Sequence, residues 1–314
     1  MPITLTPEQR DRAAGVLLGT AVGDALGAGY EFTRPTSTTL IAMIGGGVFD
    51  WAPGEWTDDT AMTIAIARAA AEGGELHTEP ALDEVAAQFV LWWDSGPKDV
   101  GNQTRRVLYS RPASARQMRA AARGFLTRSG GNGSLMRTAA VALTHLDNAE
   151  ICAAAAESVS LLTHPGRDAC QACILWTVAV RHAILHGTYD GVRDGLRYVD
   201  TRWADRLHEA ETGTPADFGK NGWVVHALQT AWWAITHAED LPHALELAVR
   251  AGGDTDTTAA IAGALLGARF GAHSIPKPWV QAVHGYPQMQ ARDLIELTQQ
   301  VLRKSARRNP YPVI

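Results

Sequence analysis

The chain has 314 residues, which at roughly 150 per domain allows one large domain or two, and a core of that size needs no disulfide or structural metal. A content of 46% hydrophobic and 19% charged residues excludes a mostly disordered chain, and 28 basic against 33 acidic residues, net −5, give no sign of a generic nucleic-acid binder. Three cysteines, a start MPITLTPEQRDRAAG without a signal-peptide pattern, and no apolar run of about 18 residues lead to the expectation of a soluble, cytoplasmic protein with no membrane span.

In chain order, apolar residues recur at helical spacing over 10–27, 60–71, 81–94, 149–162, 169–186, 223–238, 241–250, 257–270 and 289–304. Turn-rich stretches separate them at 34–55, 95–101, 129–134 and 211–222. The one plausible strand is 38–49, weakened by Gly45, Gly46 and Gly47. The tail 303–308 reads as a solvated basic terminus. The expectation is an all-α fold: one compact, many-helix domain over 1–314, with no dividing linker and no fixed-period repeat.

Glycines step by four along two of these helices, Gly15, Gly19, Gly23 and Gly27 on one and Gly263, Gly267 and Gly271 on the other. Each mid-helix glycine costs about 1 kcal/mol against alanine, and close backbone approach is the gain that offsets it. Asp24 and flanking charges defeat a membrane reading of the same spacing. The two helices are therefore expected to pack together, which would carry Glu31, seven residues after Asp24, toward Asp254.

Two acidic clusters open helices: Thr57-Asp58-Asp59-Thr60 and Asp254-Thr255-Asp256-Thr257-Thr258. Helix capping accounts for one acid per helix. Two carboxylates within three residues, each with a threonine, also make an oxygen-rich set for a hard cation such as Mg²⁺ or Mn²⁺. Both readings stay open at this level. Two glycine-asparagine loops follow, Lys98-Asp99-Val100-Gly101-Asn102-Gln103-Thr104 and Gly130-Gly131-Asn132-Gly133-Ser134-Leu135-Met136-Arg137, each read as opening a helix and offering backbone N–H groups to a phosphate. Neither matches a nucleotide phosphate loop or a dinucleotide GxGxxG fingerprint. Cys170 and Cys173, spaced as CQAC, read as small buried hydrophobes, and Trp92, Trp93, Trp232 and Trp233 as core. His164, in LTHP between two helices, is placed either to contact a ligand or to cap.

Taken together, GTAVGDALGAGYEF, WTDDTAM, DVGNQT, GGNGSLMRTAAVAL, LTHP and AGGDTDTTAAIAGALLGA, in this order over about 10–272, resemble the ADP-ribosylglycohydrolase family. The resemblance implies a compact all-α fold around two divalent cations, Mg²⁺ or Mn²⁺. It implies Thr57, Asp58, Asp59, Asp254, Asp256 and Thr257 as metal ligands, and Glu31 as an acid near the metals. It places Asp99, Gly101 and Asn102 beside the distal ribose, Gly131, Asn132, Gly133, Ser134 and Met136 around the diphosphate, and His164 on the adenosine side. No metal motif is broken, and residues 202–221 match no family motif.

The implied activity is metal-dependent hydrolysis of the bond between ADP-ribose and a modified acceptor, arginine by default. Serine, O-acetyl and nucleic-acid-linked ADP-ribose remain open, the last being the one role left for nucleic acid. Catalytic carboxylates would come from Glu31, Asp58, Asp59 and Asp99, with the general base unassigned. Two rivals are a catalytically silent ADP-ribose-binding relative, and a metal-dependent nucleotide or phosphoester hydrolase. A damaged acidic motif would mark the first. Release of phosphate or AMP would mark the second.

Overall fold

A computed structural model describes residues 4–126 and 130–307; the first three residues of the N-terminal stretch, Ser129 of the 129–134 turn and Arg308 of the basic tail lie outside the described residues. Fourteen α-helices follow one another among the described residues: α1 (Pro7–Gly27), α2 (Asp58–Ala71), α3 (Glu79–Asp94), α4 (Asn102–Leu108), α5 (Ala115–Arg123), α6 (Ala149–Ser160) and α7 (Arg167–His186) come first. Then come α8 (Gly191–Asp194), α9 (Arg202–Thr212), α10 (Val224–His237), α11 (Leu241–Arg250), α12 (Thr255–Phe270), α13 (Lys277–Ala282) and α14 (Ala291–Arg307). The fold is all-α, as the periodicity predicts. No helix among the described residues is long and apolar enough to cross a membrane.

Helix starts depart from the apolar pattern where polar chemistry sets them. α1 begins three residues earlier than its apolar spacing because Thr6 builds a capping box: its Oγ1 accepts from Gln9 N–H, and Gln9 Oε1 accepts from Thr6 N–H, with Pro7 in the first turn. α2 starts at Asp58 and α12 at Thr255, so acids predicted to precede the helices lie at their first turns or caps. The loop at 131–136 opens a short 3₁₀ segment, Thr138–Thr144, in place of an α-helix. Helices α5 and α9 escape the periodicity because each buries only three residues on an otherwise polar surface: Ala115, Met118 and Ala122 in one, Trp203, Leu207 and Ala210 in the other.

The strand expected at 38–49 does not form. Gly45, Gly46 and Gly47 all adopt left-handed backbone, with φ of +63°, +74° and +69°, which turns the chain back so that Gly46 meets Trp51 in one isolated bridge. The regular pairing among the described residues is a two-residue antiparallel ladder, β1 (His284–Gly285) with β2 (Met289–Gln290), in register His284 to Gln290. Met289 therefore belongs to a strand and not, as predicted, to the last helix.

The glycine-stepped helices pack as expected, and antiparallel. A side chain on Gly15 would strike the Gly267 carbonyl, on Gly19 the Gly263 carbonyl, and on Gly23 the Ala259 carbonyl. At the far end Thr255 Oγ1 donates to the Gly27 carbonyl at 2.8 Å. Every residue of α1 from Ala13 to Gly27 is buried. Around this pair lie α7, whose buried Trp176 donates its indole N–H to the Ile261 carbonyl at 3.0 Å, and α2, backed by α3 and α14. Trp92 and Trp232 are buried and Trp93 and Trp233 partly so, and Cys152, Cys170 and Cys173 are free and buried. The consequence for function is positional: the C-terminus of α1 meets the N-terminus of α12, and residues just past one face residues just before the other.

Candidate active site

At that meeting point Asp24, near the end of α1, is fully buried. Its carboxylate accepts from Thr57 N–H at 2.9 Å, Thr60 N–H at 2.9 Å and Thr60 Oγ1 at 2.6 Å. It thereby ties the start of α2 to α1. Thr57 caps α2, its hydroxyl accepting from Asp59 N–H and donating to Asp59 Oδ2 at 3.0 Å. Asp58 turns the other way and accepts from Gly101 N–H at 3.4 Å.

The second cluster is held by loops. Gly252 and Gly253 adopt φ of +76° and +75°, and Gly253 exchanges backbone hydrogen bonds with the Phe32–Thr33 turn that follows Glu31. This is how the chain brings Glu31 beside Asp254. Asn221 Oδ1 accepts from Asp254 N–H at 3.0 Å, Asn221 Nδ2 donates to the Gly252 carbonyl, and Asn132 Nδ2 donates to Asp254 Oδ2 at 2.7 Å.

The result is a concentration of negative charge. Asp24, Glu31, Asp58, Asp59, Asp99, Asp254 and Asp256 all have carboxyl pKa values above their usual range, in each case first because of burial. Glu31 is pushed up to about 9 by burial and then by Asp254, Asp99, Asp58 and Asp24. Asp24 rises only to about 6, because its three donors favour the charged form. No lysine or arginine among the described residues forms an ion pair with any of these acids.

Such a cluster needs protons or cations. The donor set fits a cation: oxygens of Asp24, Asp59 and Asp256 lie within 4.8 Å of one another, as do those of Glu31, Asp254 and Asp256. Asp256 belongs to both groups. Two buried oxygens, Glu31 Oε2 and Asp59 Oδ1, have no hydrogen-bond partner, which leaves them as free acceptors for hard cations.

Above the acids lies a cleft of about 520 Å³, within the range of small-molecule sites. Of the residues singled out in the sequence, Glu31, Asp58, Asp99, Gly101, Asn102, Gly131, Asn132, Gly133, Met136, His164, Asp254, Asp256 and Thr257 line it together. Thr57 and Asp59 lie beneath the floor, buried. Ser134 departs from its expected place at the cleft wall: its hydroxyl is buried against Ser160 at 2.9 Å and the Cys173 sulfur. Asp99 is half-buried, with Oδ1 accepting from Val100 N–H. Asp24, Asn221, Phe32 and Phe49 are among the participants that the sequence reading does not single out as site residues. Asp24 was legible as a lone acid in a long apolar helix, whereas Asn221, in an irregular loop, carried no signal. Phe32, 64% exposed at φ +60°, joins Phe49 at the rim.

Comparison with known proteins identifies the family. A family model described as ADP-ribosylglycohydrolase matches residues 5–310. The chain is 32% identical to the ADP-ribosylarginine hydrolase Tri1 of Pseudomonas putida, over 95% of this chain and 82% of that one. It is 31% identical to the ADP-ribosyl-[dinitrogen reductase] glycohydrolase of Rhodospirillum rubrum, over 87% and 90%. A solved structure titled ADP-ribosylglycohydrolase-related protein complex superposes with a TM-score of 0.76 at 28% identity, covering 96% of this chain and all of that one.

Proposed function

This chain belongs to the ADP-ribosylglycohydrolase family, and from that premise we propose that it is a metal-dependent hydrolase that releases ADP-ribose from an ADP-ribosylated protein side chain, arginine by default. The observation that carries the reading is the convergence in one cleft of both acidic clusters, Glu31 and the two glycine-asparagine loops. In this reading one domain spans 1–314. A cytoplasmic location accords with three free cysteines.

Thr57, Asp58, Asp59, Asp254, Asp256 and Thr257 would hold two divalent cations, Mg²⁺ or Mn²⁺, with Glu31 beside them. Bound there, the cations supply Lewis-acid charge that lowers the pKa of a nearby water and offsets the acids' mutual repulsion. The chain's own residues do the rest. The bare backbone at Gly131 and Gly133 lets a diphosphate approach closely, and Asp99, Gly101 and Asn102 border the ribose. Asp59, braced by Thr57, whose N–H Asp24 accepts, orients the attacking water with Asp58. Hydrolysis adds hydroxide to the anomeric carbon and returns a proton to the departing acceptor atom. Glu31 or Asp99 carries that proton, each placed at the cleft surface.

The test is product analysis on a panel of ADP-ribosylated acceptors, with and without Mg²⁺ or Mn²⁺. The expected product is intact ADP-ribose, released only with the cation. AMP or phosphate as product would establish the phosphoester hydrolase, and tight ADP-ribose binding without turnover would establish the silent relative.

A further inference from the structure

We propose that Arg137 and Thr163, lying behind the cleft, act as positioning residues that fix His164 in its neutral Nε2-protonated tautomer and so present an N–H donor to the diphosphate. The inference rests on the cleft reading above for the identity of the ligand, but not for the tautomer. Arg137 is fully buried and makes no ion pair with an acid among the described residues. Its guanidinium stacks over the Phe89 ring at 4.5 Å, places Nη1 on the Met62 sulfur, and sends Nη2 to Thr163 Oγ1 at 2.5 Å. A guanidinium only donates, so Thr163 Oγ1 accepts this bond.

Thr163 Oγ1 also lies 2.8 Å from His164 Nδ1. The threonine proton has one remaining recipient among the hydrogen bonds of the described residues, and that is Nδ1. Nδ1 is therefore an acceptor and carries no proton. Burial, and then the charge of Arg137, push the His164 pKa down to about 3, so the ring is neutral and its single proton resides on Nε2. That edge of the ring faces the glycine loop, where a side chain on Gly133 would come within 3.2 Å of Nε2 and one on Gly131 within 3.6 Å, so His164 meets the diphosphate loop and not the adenosine side that the family resemblance implies. Because neither residue has one, the N–H stands open to the cleft.

The frame is fixed from two more sides. Gln103 Nε2 donates to the Thr163 carbonyl at 2.5 Å, and His164 N–H donates to the Ser160 carbonyl at 2.7 Å. The chain of donors runs from Arg137 through Thr163 to His164, so the buried positive charge polarises the outward N–H without being exposed. A neutral donor of this kind favours an anionic group and holds its state across the physiological pH range.

Ring-nitrogen correlation spectra of the full, ligand-free chain labelled with ¹⁵N-histidine, assigned by the signals lost in His164→Gln, should show protonated Nε2 and bare Nδ1 from pH 5 to pH 8. An Nδ1-protonated ring, or an imidazolium in that range, overturns the proposal whether or not ADP-ribose binds. In calorimetry with ADP-ribose and Mn²⁺, Thr163→Val should weaken ADP-ribose binding roughly tenfold. Thr163→Ser, which restores the hydroxyl, should stay within about twofold, and Mn²⁺ affinity should be unaltered in both. Equal ADP-ribose affinity in the valine variant and the parent overturns it too. If Thr163→Val does not fold, the spectrum of the parent chain decides. A parent chain that does not bind ADP-ribose refutes the cleft reading and leaves the spectrum to judge the tautomer.

Discussion

The two acidic helix starts reach the same cleft by different means. At α2 the cluster is ordered by its own helix and by one residue beneath it: Thr57 caps the helix, and Asp24 takes both the Thr57 and Thr60 N–H groups. At α12 the order comes from distant loops, with Asn132 on the Asp254 carboxylate and Asn221 on its N–H. The Thr57 cap on Asp59 is written in contiguous residues, and only the Asp24 brace beneath it, 33 residues from Thr57, is long-range in the way the braces of α12 are. A brace of the second kind spans 122 residues to Asn132 and 33 to Asn221, so it exists only once the fold has formed.

The substitution with the largest expected effect removes what the two starts share. Asp256 belongs to both groups of converging oxygens. Asp256 lies in the first turn of α12, where its Oδ1 accepts from Thr257 N–H, a bond that an asparagine carbonyl oxygen also accepts, so Asp256→Asn should stay folded, lose bound Mn²⁺ and lose hydrolysis by roughly 1000-fold, the scale of several kcal/mol of cation stabilisation. Full turnover with unaltered metal content would reduce the acids to ordinary caps.

Next is the bed on which both starts lie. In Gly267→Val the new side chain meets the Gly15 carbonyl, a backbone group that cannot step aside. The expected cost is about 3 kcal/mol in urea unfolding. Gly101→Ala is the control, since no atom lies within 4 Å of a side chain placed there. A Gly267→Val chain as stable as its parent would mean that the glycine step is not what allows the close approach.

The comparison itself is sharpened by removing one brace at a time. Asp24→Asn keeps the shape but replaces one of the two buried oxygens that share three donors with an NH₂ group facing a donor, so roughly 1–3 kcal/mol of stability should go with it. Asn132→Ala removes one bond to a half-buried carboxylate and one to the Asn221 carbonyl, with an expected cost of about 1–2 kcal/mol. Its main effect should be weaker ADP-ribose binding, because Asn132 also lines the cleft. Equal losses of melting temperature in the two variants would erase the distinction drawn between the two starts.

What the sequence made legible follows the same division. The close packing of α1 on α12 is readable, because a four-residue glycine step encodes a contact surface on each helix separately. So is the approach of Glu31 to Asp254, which depends on that fit. Asn221 and the inward turn of Ser134 are not readable: each depends on a partner fixed by chain packing far from it. The strand expected at 38–49 failed for a local reason, three successive left-handed glycines, and α9 went unseen because Trp203, Leu207 and Ala210 are too sparse an apolar stripe to outweigh its polar surface.

The smallest expected effect, a gradual one, is on pH. A carboxyl whose pKa is raised by folding binds more protons folded than unfolded between its two pKa values, so stability falls as pH rises through that interval. Glu31 covers the range from its ordinary 4.5 to about 9, and Asp24 from 3.8 to about 6. His164 acts with the opposite sign, because its lowered pKa costs stability as pH falls below 6.5. From pH 7 to pH 9 the histidine is silent, Asp24 is ionised, and the metal-free protein should lose melting temperature steadily as Glu31 and its neighbours ionise. Mg²⁺ or Mn²⁺ competes with those protons, so the rise in melting temperature that it produces should be larger at pH 9 than at pH 7. Glu31→Gln should flatten the metal-free slope, because it deletes a carboxyl whose titration ends near pH 9. A slope that is flat in the parent chain, or a metal effect independent of pH, would mean that the cluster keeps fewer protons than its burial demands.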